Sequence, residues 1–233
     1  MRTLGLLGGM SWESTTSYYQ RLNRLARERL GGQHSAKLLI WSADFAQIAA
    51  MQAAGDWASA TAVLVDAAKR IEGAGAEALL ICANTMHLMA GEVADAINIP
   101  LIHVADATAE AVLAAGATRP VLLATRFTME KQFYRDRLAE HGLNSVIPSS
   151  EDRDRLHAII FDELVQGRFE ENSRAAVIGT ARRAIEEDGV DSVILGCTEF
   201  GLLVAPDDFP VPVFDTTDIH ARAAMDFALA RVA

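Results

Sequence analysis

Apolar runs of four to six residues alternate along this chain with longer stretches whose apolar positions recur every three or four residues. The short runs predict buried strands at Thr3–Leu7, Lys37–Ser42, Ala78–Ile81, Leu101–Val104, Pro120–Ala124, Ser192–Leu195 and Val211–Phe214. The longer period predicts helices at Ser14–Arg29, Trp57–Gly73, Ala107–Ala115, Glu130–His141, Asp154–Gln166, Asn172–Asp188 and Ile219–Arg231. This alternation predicts the α/β class, with parallel sheets covered by helices on both faces. Ligands in such folds sit beyond the carboxyl ends of the strands, so the loops leaving the strands are where chemistry is to be sought.

The pattern also repeats. Gly5–Leu22 lies over Val121–Leu138 without a gap at an offset of 116, Gly73–Thr85 over Glu187–Glu199 at 114, and Ile99–Thr108 over Val211–His220 at 112. Three segments in one order predict two similar parallel-sheet α/β domains, related by a pseudo-twofold axis, with the active site in the cleft between them. The last strand and helix are expected to pack back onto the first half, because chain ends often lie close together. The halves are then 1–106 plus 213–233, and 107–212.

Each half delivers a strand ending in a small polar cluster, Cys82-Ala83-Asn84-Thr85 and Gly196-Cys197-Thr198-Glu199. In the repeat register Cys197 matches Ala83, while Cys82 matches Gly196 and alternation turns it to the other face. Cys82 reads as a small buried hydrophobe, and Cys197 as a thiolate acid/base stabilised by backbone N–H groups at its strand end. Glu199 is either a proton relay or a cap on the following turn. The Gly8-Gly9-Met10-Ser11 loop lets backbone amides approach a small carboxylate. Asn84, Thr85, Thr125 and Thr198 are candidate hydrogen-bond donors to it, each with a turn or cap role as the alternative. Thr85 is at most a positioning group or weak relay. Asp106 and Asp218 read as helix caps, His103 and His220 as packed or solvated, and His87 as structural.

Composition narrows the classes. With 21 basic and 31 acidic residues the 233-residue chain carries a formal charge of −10, and no basic run tracks a phosphate backbone, which argues against nucleic acid. The apolar start is too short and glycine-rich for a signal peptide, and no run is long enough to span a membrane. Two cysteines without a secretory signal read as free thiols in the cytoplasm. Six scattered histidines form no metal-ligand spacing, and the glycine loop has neither dinucleotide nor nucleoside-triphosphate spacing.

Through Gly5-Leu6-Leu7-Gly8-Gly9-Met10-Ser11-Trp12-Glu13-Ser14-Thr15, Asn84-Thr85-Met86-His87 and Gly196-Cys197-Thr198-Glu199, the chain resembles the aspartate/glutamate racemase family. The resemblance implies a cofactor-independent isomerase of two α/β domains, a homodimer, and proton transfer at the α-carbon of an acidic amino acid by two cysteines on opposite faces. In the family the first cysteine directly precedes Asn-Thr, and here that position is Ala83, the residue the repeat also pairs with Cys197. The segments Ser42-Ala43-Asp44-Phe45 and Phe161-Asp162-Glu163-Leu164 lack the basic residues that hold a distal carboxylate, leaving Arg126 as the nearest candidate. Three readings follow. One is a racemase of aspartate, glutamate or a related amino acid with Cys197 as its single catalytic cysteine, and slow or direction-biased turnover. The others are a one-cysteine decarboxylase or isomerase of a small carboxylic acid, and a catalytically inactive carboxylate-binding homologue.

Overall fold

The structure is a computed structural model and describes residues 1–230. The chain forms two compact α/β units: Met1–His103 with the chain from His220 onward, and Val104–Ile219. The first contains β1 (Leu4–Gly8), α1 (Trp12–Leu30), β2 (Leu38–Ser42), α2 (Phe45–Ala54), α3 (Trp57–Gly73), β3 (Ala78–Ile81), a 3-10 turn (Thr85–Met89) and α4 (Ala90–Asp95). The second contains α5 (Val104–Ala114), β4 (Pro120–Leu123), α6 (Arg126–Glu130), α7 (Gln132–Glu140), α8 (Ser150–Asp162), α9 (Glu171–Asp188), β5 (Ser192–Leu195), α10 (Phe200–Leu203) and β6 (Val213–Asp215). Helix α11 (Thr216–Leu229) begins in the second unit and continues in the first.

All strand pairs are parallel, in the orders β2-β1-β3 and β4-β5-β6. One isolated bridge widens each sheet, Leu79 with Leu101 in the first and Val121 with Val146 in the second. The repeat is written into the register. Leu7 faces Ile81 in one sheet, and the corresponding Leu123 faces Leu195 in the other.

Two-residue alternation divides the first core. Leu4, Leu6, Ala78, Leu80 and Cys82 pack with Tyr18 and Leu22 of α1 and with Ala224 of α11. Leu7, Leu79, Ile81 and Ala83 face the other way, onto α2 and α3. Helix α3 buries Ala60, Leu64, Ala67, Ala68 and Ile71, one stripe at helical spacing. In the second unit one cluster joins β4 and β5 to α5, α7, α8 and α9.

Several elements depart from the sequence pattern. Leu101–Val104 is not a strand: the Leu79 amide donates to Pro100 (2.9 Å) and Ile102 donates back to Leu79 (2.9 Å), after which α5 takes Val104. The alanine-rich run that follows is strongly helix-forming. The expected Glu130–His141 helix forms at Gln132–Glu140, and the extended Lys131 separates it from α6, a short helix behind the Thr125 cap that ends at Glu130. Asp154–Gln166 starts earlier, at Ser150 behind the Ser149 cap, and finishes as a 3-10 turn. Helix α2 was absent from the pattern because its apolar residues run all round it, leaving no stripe.

The strand expected at Val211–Phe214 forms at Val213–Asp215 and pairs with β5. The chain therefore returns to the first unit at His220 rather than at residue 213. Arg231, the last residue of the expected final helix, lies outside the described residues. Asp218 lies inside the first turn of α11, and its amide, with that of Thr217, donates to the Asp215 carboxylate. Asp106 is likewise inside α5 and takes a two-pronged bond from Arg137 (2.6 and 2.9 Å). Both residues thus lie inside their helices rather than before them, and at α11 Asp215 takes the capping bonds.

Three imidazoles gather in the first unit. His87 lies edge-on to His103 (4.7 Å between centroids) and to His220 (5.8 Å). His220 Nε2 donates to the Ile102 carbonyl (2.7 Å), so Nδ1 is the acceptor for the Tyr18 hydroxyl (2.8 Å). Burial, opposed by the bond to Ile102, and the neighbouring His103 hold His220 down to about 4. An unfolded histidine titrates near 6.5, so below that pH the unfolded chain binds protons that the folded chain refuses, and stability falls with falling pH. For His220 alone the loss between pH 6.5 and 4 is about 3 kcal/mol. Urea unfolding from pH 7 to pH 4.5 should therefore show a steep acid decline that His220→Gln flattens; an unchanged slope would show that His220 does not stay neutral.

Candidate active site

The loop after β5 is built by a close approach of two strands. The Gly196 amide donates to Leu123 (2.7 Å), and a Cβ on Gly196 would stand 2.8 Å from Leu122 Cδ1 and 3.2 Å from the Leu123 oxygen. Any larger residue here would have to shift Leu122 and crowd the Leu123 carbonyl of β4. The chain then turns: Phe200 N–H bonds to the Cys197 carbonyl (3.1 Å) and α10 begins. Cys197, Thr198 and Glu199 are buried.

Within this turn the Cys197 thiol donates to Glu199 Oε2 (3.0 Å), and the Thr198 hydroxyl donates to the same oxygen (2.5 Å). Glu199 makes no side-chain cap bond to α10. Of its two expected roles, the contact made is the one to the thiol. Burial, the Glu199 charge and the bond to Glu199 together push the Cys197 thiol well up, against the pull of the Glu199 and Phe200 amides. The expected resting thiolate is therefore a neutral thiol. Two backbone amides do not outweigh desolvation beside a carboxylate.

The first unit carries the matching strand end. The Cys82 amide donates to Leu7 (2.9 Å), the same bond that Gly196 makes to Leu123 in the repeat. Ala83 thus stands at the backbone position equivalent to Cys197. Cys82 is fully enclosed with Tyr18 and α11, and burial pushes its thiol far up. Asn84 and Thr85 follow, both buried, and the Asn84 side chain does not cap the 3-10 turn.

The glycine loop is closed on itself. Gly9 has φ +80°, and a Cβ there would lie 2.2 Å from the Ala43 nitrogen. Its amide, expected to reach an anion, donates to Thr15 Oγ1 (2.8 Å), which in turn donates to the Ser11 carbonyl (3.0 Å). The Ser11 hydroxyl caps α1 at Ser14 (3.3 Å), and Met10 packs in the core with Leu7 and Ile81. This role of Thr15 was not legible in the sequence, because a threonine in a helical run carries no signal of what its hydroxyl binds.

Thr125 caps α6, accepting from the Thr128 amide (3.2 Å). The candidate cation Arg126 pairs with Asp154 (3.0 Å) on an exposed surface. The site residues thus divide between the units: Gly9, Met10, Ser11, Ala83, Asn84 and Thr85 in the first, Thr125, Cys197, Thr198 and Glu199 in the second. Gln52, not anticipated from the sequence, is buried on α2 with its amide nitrogen 3.0 Å from Met86 Sδ. Its carbonyl oxygen is buried without a hydrogen-bond partner, an arrangement native proteins usually avoid.

Among the described residues no group of three or more His, Cys, Asp or Glu could hold a metal ion. No described helix is long and apolar enough to cross a membrane.

Known proteins share this fold. A family model for Asp/Glu/Hydantoin racemase matches residues 7–224, and the chain belongs to that family. A crystal structure from Yersinia pestis, assigned provisionally as an Asp/Glu racemase, is similar with a TM-score of 0.90 at 47% identity, covering 99% of this chain and 100% of that one. An aspartate racemase homologue from Pyrococcus horikoshii OT3 gives 0.86 at 35% identity, covering 99% and 100%. Picrophilus torridus aspartate racemase gives 0.80 at 20% identity, covering 100% and 96%, a likeness of fold alone.

Removing the charge beside Cys197 should ease its ionisation. In a Cys82→Ala background, Glu199→Gln is expected to move the pH midpoint of alkylation by iodoacetamide downward. A midpoint that rises or stays would mean that no carboxylate charge acts on the thiol.

Proposed function

We propose that this chain is a cofactor-independent amino-acid racemase that moves a proton at the α-carbon of aspartate, glutamate or a related amino acid, with Cys197 as its one catalytic thiol. The observation that carries this reading is the buried bond from the Cys197 thiol to Glu199 (3.0 Å). A thiol pushed up by burial is a poor base unless its proton has somewhere to go, and Glu199 is the acceptor already in place. When the thiol proton passes to Glu199, the thiolate takes the substrate's α-proton: the C–H bond breaks, an S–H bond forms, and the electron pair spreads into the α-carboxylate. Reversal returns a proton from the same sulfur.

Family membership and the 47% and 35% identical relatives, the first named provisionally as an Asp/Glu racemase and the second as an aspartate racemase homologue, support an acidic amino acid. Asn84 and Thr85 are the proposed donors to its α-carboxylate, while the Thr198 hydroxyl proton is already given to Glu199. Gly9, Met10, Ser11 and Thr125 shape the loops: the Gly9 amide is spent on Thr15, and the Ser11 and Thr125 hydroxyls accept the capping bonds of their helices. By the repeat, the position for the other face is Ala83, whose methyl has no proton acidic enough to transfer. Water or the weakly basic Thr85 hydroxyl serves there, which makes turnover slow or direction-biased.

The neutral resting thiol favours a second reading, a one-cysteine decarboxylase or isomerase. There the C–CO₂ bond breaks, the carbanion takes the Cys197 proton, and water restores the thiol through Glu199.

Incubation in heavy water with L- and D-aspartate and glutamate tests these readings. The racemase reading expects α-deuterium in at least one of them, reduced about 10²- to 10⁴-fold in Cys197→Ser and raised about tenfold or more in Ala83→Cys. Failure of all four substrates to incorporate deuterium sinks the acidic amino-acid assignment. Cys197-dependent CO₂ release from a malonate-type acid then supports the second reading, and its absence leaves a carboxylate-binding homologue.

A further inference from the structure

We infer that His87 is a positioning residue that fixes position 83 and the amides after it by holding the Ala83 carbonyl; the inference rests on the racemase reading above. His87 Nδ1 lies 3.0 Å from that carbonyl oxygen. A carbonyl only accepts, so Nδ1 carries the proton and the tautomer is set. The His87 backbone amide meanwhile donates to the Asn84 carbonyl (3.1 Å). One residue therefore closes the strand-end turn twice, by side chain and by backbone.

The second closure matters because the turn is 3-10, whose own hydrogen bonds are poorly aligned. The peptide between residues 83 and 84 is planar. Holding its oxygen orients the Asn84 N–H and, through the Ala83 Cα, the direction of whatever side chain stands at 83. That is the repeat counterpart of Cys197. The His87 ring is itself confined by His103 and His220, and His220 by Tyr18 and Ile102. Burial, reinforced by those two imidazoles, keeps His87 neutral well below the usual histidine range. A protonated ring would bring charge into a cluster that offers no carboxylate among these partners. The chain leaves the first unit after His103 and re-enters it at His220, so the clamp is tied to both points of passage.

A space-filling role and a positioning role separate in two variants of nearly equal shape. Asparagine keeps an N–H close to the place of imidazole Nδ1; leucine has the same outline without it. Combined with Ala83→Cys, they form a double-mutant cycle. Deuterium exchange should gain about tenfold or more from Ala83→Cys when His87 is present, lose that gain with His87→Leu, and recover most of it with His87→Asn. The pH midpoint of alkylation of the introduced thiol, measured with Cys82 and Cys197 replaced by alanine, should move with His87→Leu and return with His87→Asn. An equal Ala83→Cys gain with and without His87, or a thiol midpoint indifferent to the three side chains, overturns the positioning role. The titration needs no turnover, so absence of exchange in every variant removes the racemase reading while the clamp is still judged by the thiol. Thermal unfolding of each variant confirms that a folded protein is being compared.

Discussion

Everything at the candidate site depends on one backbone constraint, the hydrogen bond by which each central strand pair is prolonged one residue beyond its ladder. Cys82 donates to Leu7 in the first sheet and Gly196 donates to Leu123 in the second. The bond places the next residue, Ala83 or Cys197, where the strand ends and a turn must begin. Parallel pairing makes the placement stringent, because a slip of one residue would exchange the faces and send Cys82 where Ala83 now stands. Glycine at 196 is part of the same constraint: a side chain there would push into Leu122 and the β4 backbone.

On this frame the contacts of Cys197 come from proximity in a dry place. Cys197 and Glu199 are two residues apart, and the tight turn into α10 brings sulfur and carboxylate together with the Thr198 hydroxyl. Solvent would have screened the carboxylate and hydrated the thiolate. Burial does the reverse and pushes the thiol up, with the carboxylate as its hydrogen-bond acceptor. The second strand end has no such pair. Its small residue is followed by a turn held from behind by an imidazole, and that imidazole by two others.

The polar groups of the first loop work differently. The glycine-rich stretch looks in the sequence like a cradle for an anion, because glycine frees backbone amides. The Gly9 amide is instead consumed by Thr15, which also holds the Ser11 carbonyl. A helical threonine one turn downstream thus converts a cradle into a rigid corner, and the positive φ of Gly9 serves the close passage of Ala43.

The sequence by itself determined the α/β class, the two-fold repetition, and the register that matches Cys197 with Ala83 and sets Cys82 aside. Those follow from short-range periodicities that survive in one dimension: alternation along a strand, the stripe of a helix, and constant offsets between copies. What the tertiary structure decided are matters of partner and solvent. Glu199 became the thiol's acceptor rather than a cap, the expected thiolate became a thiol, β6 joined the second sheet, and three distant histidines met. Each depends on which atoms lie within about 3 Å after folding and on how far water is excluded there, and neither quantity is carried by residue order.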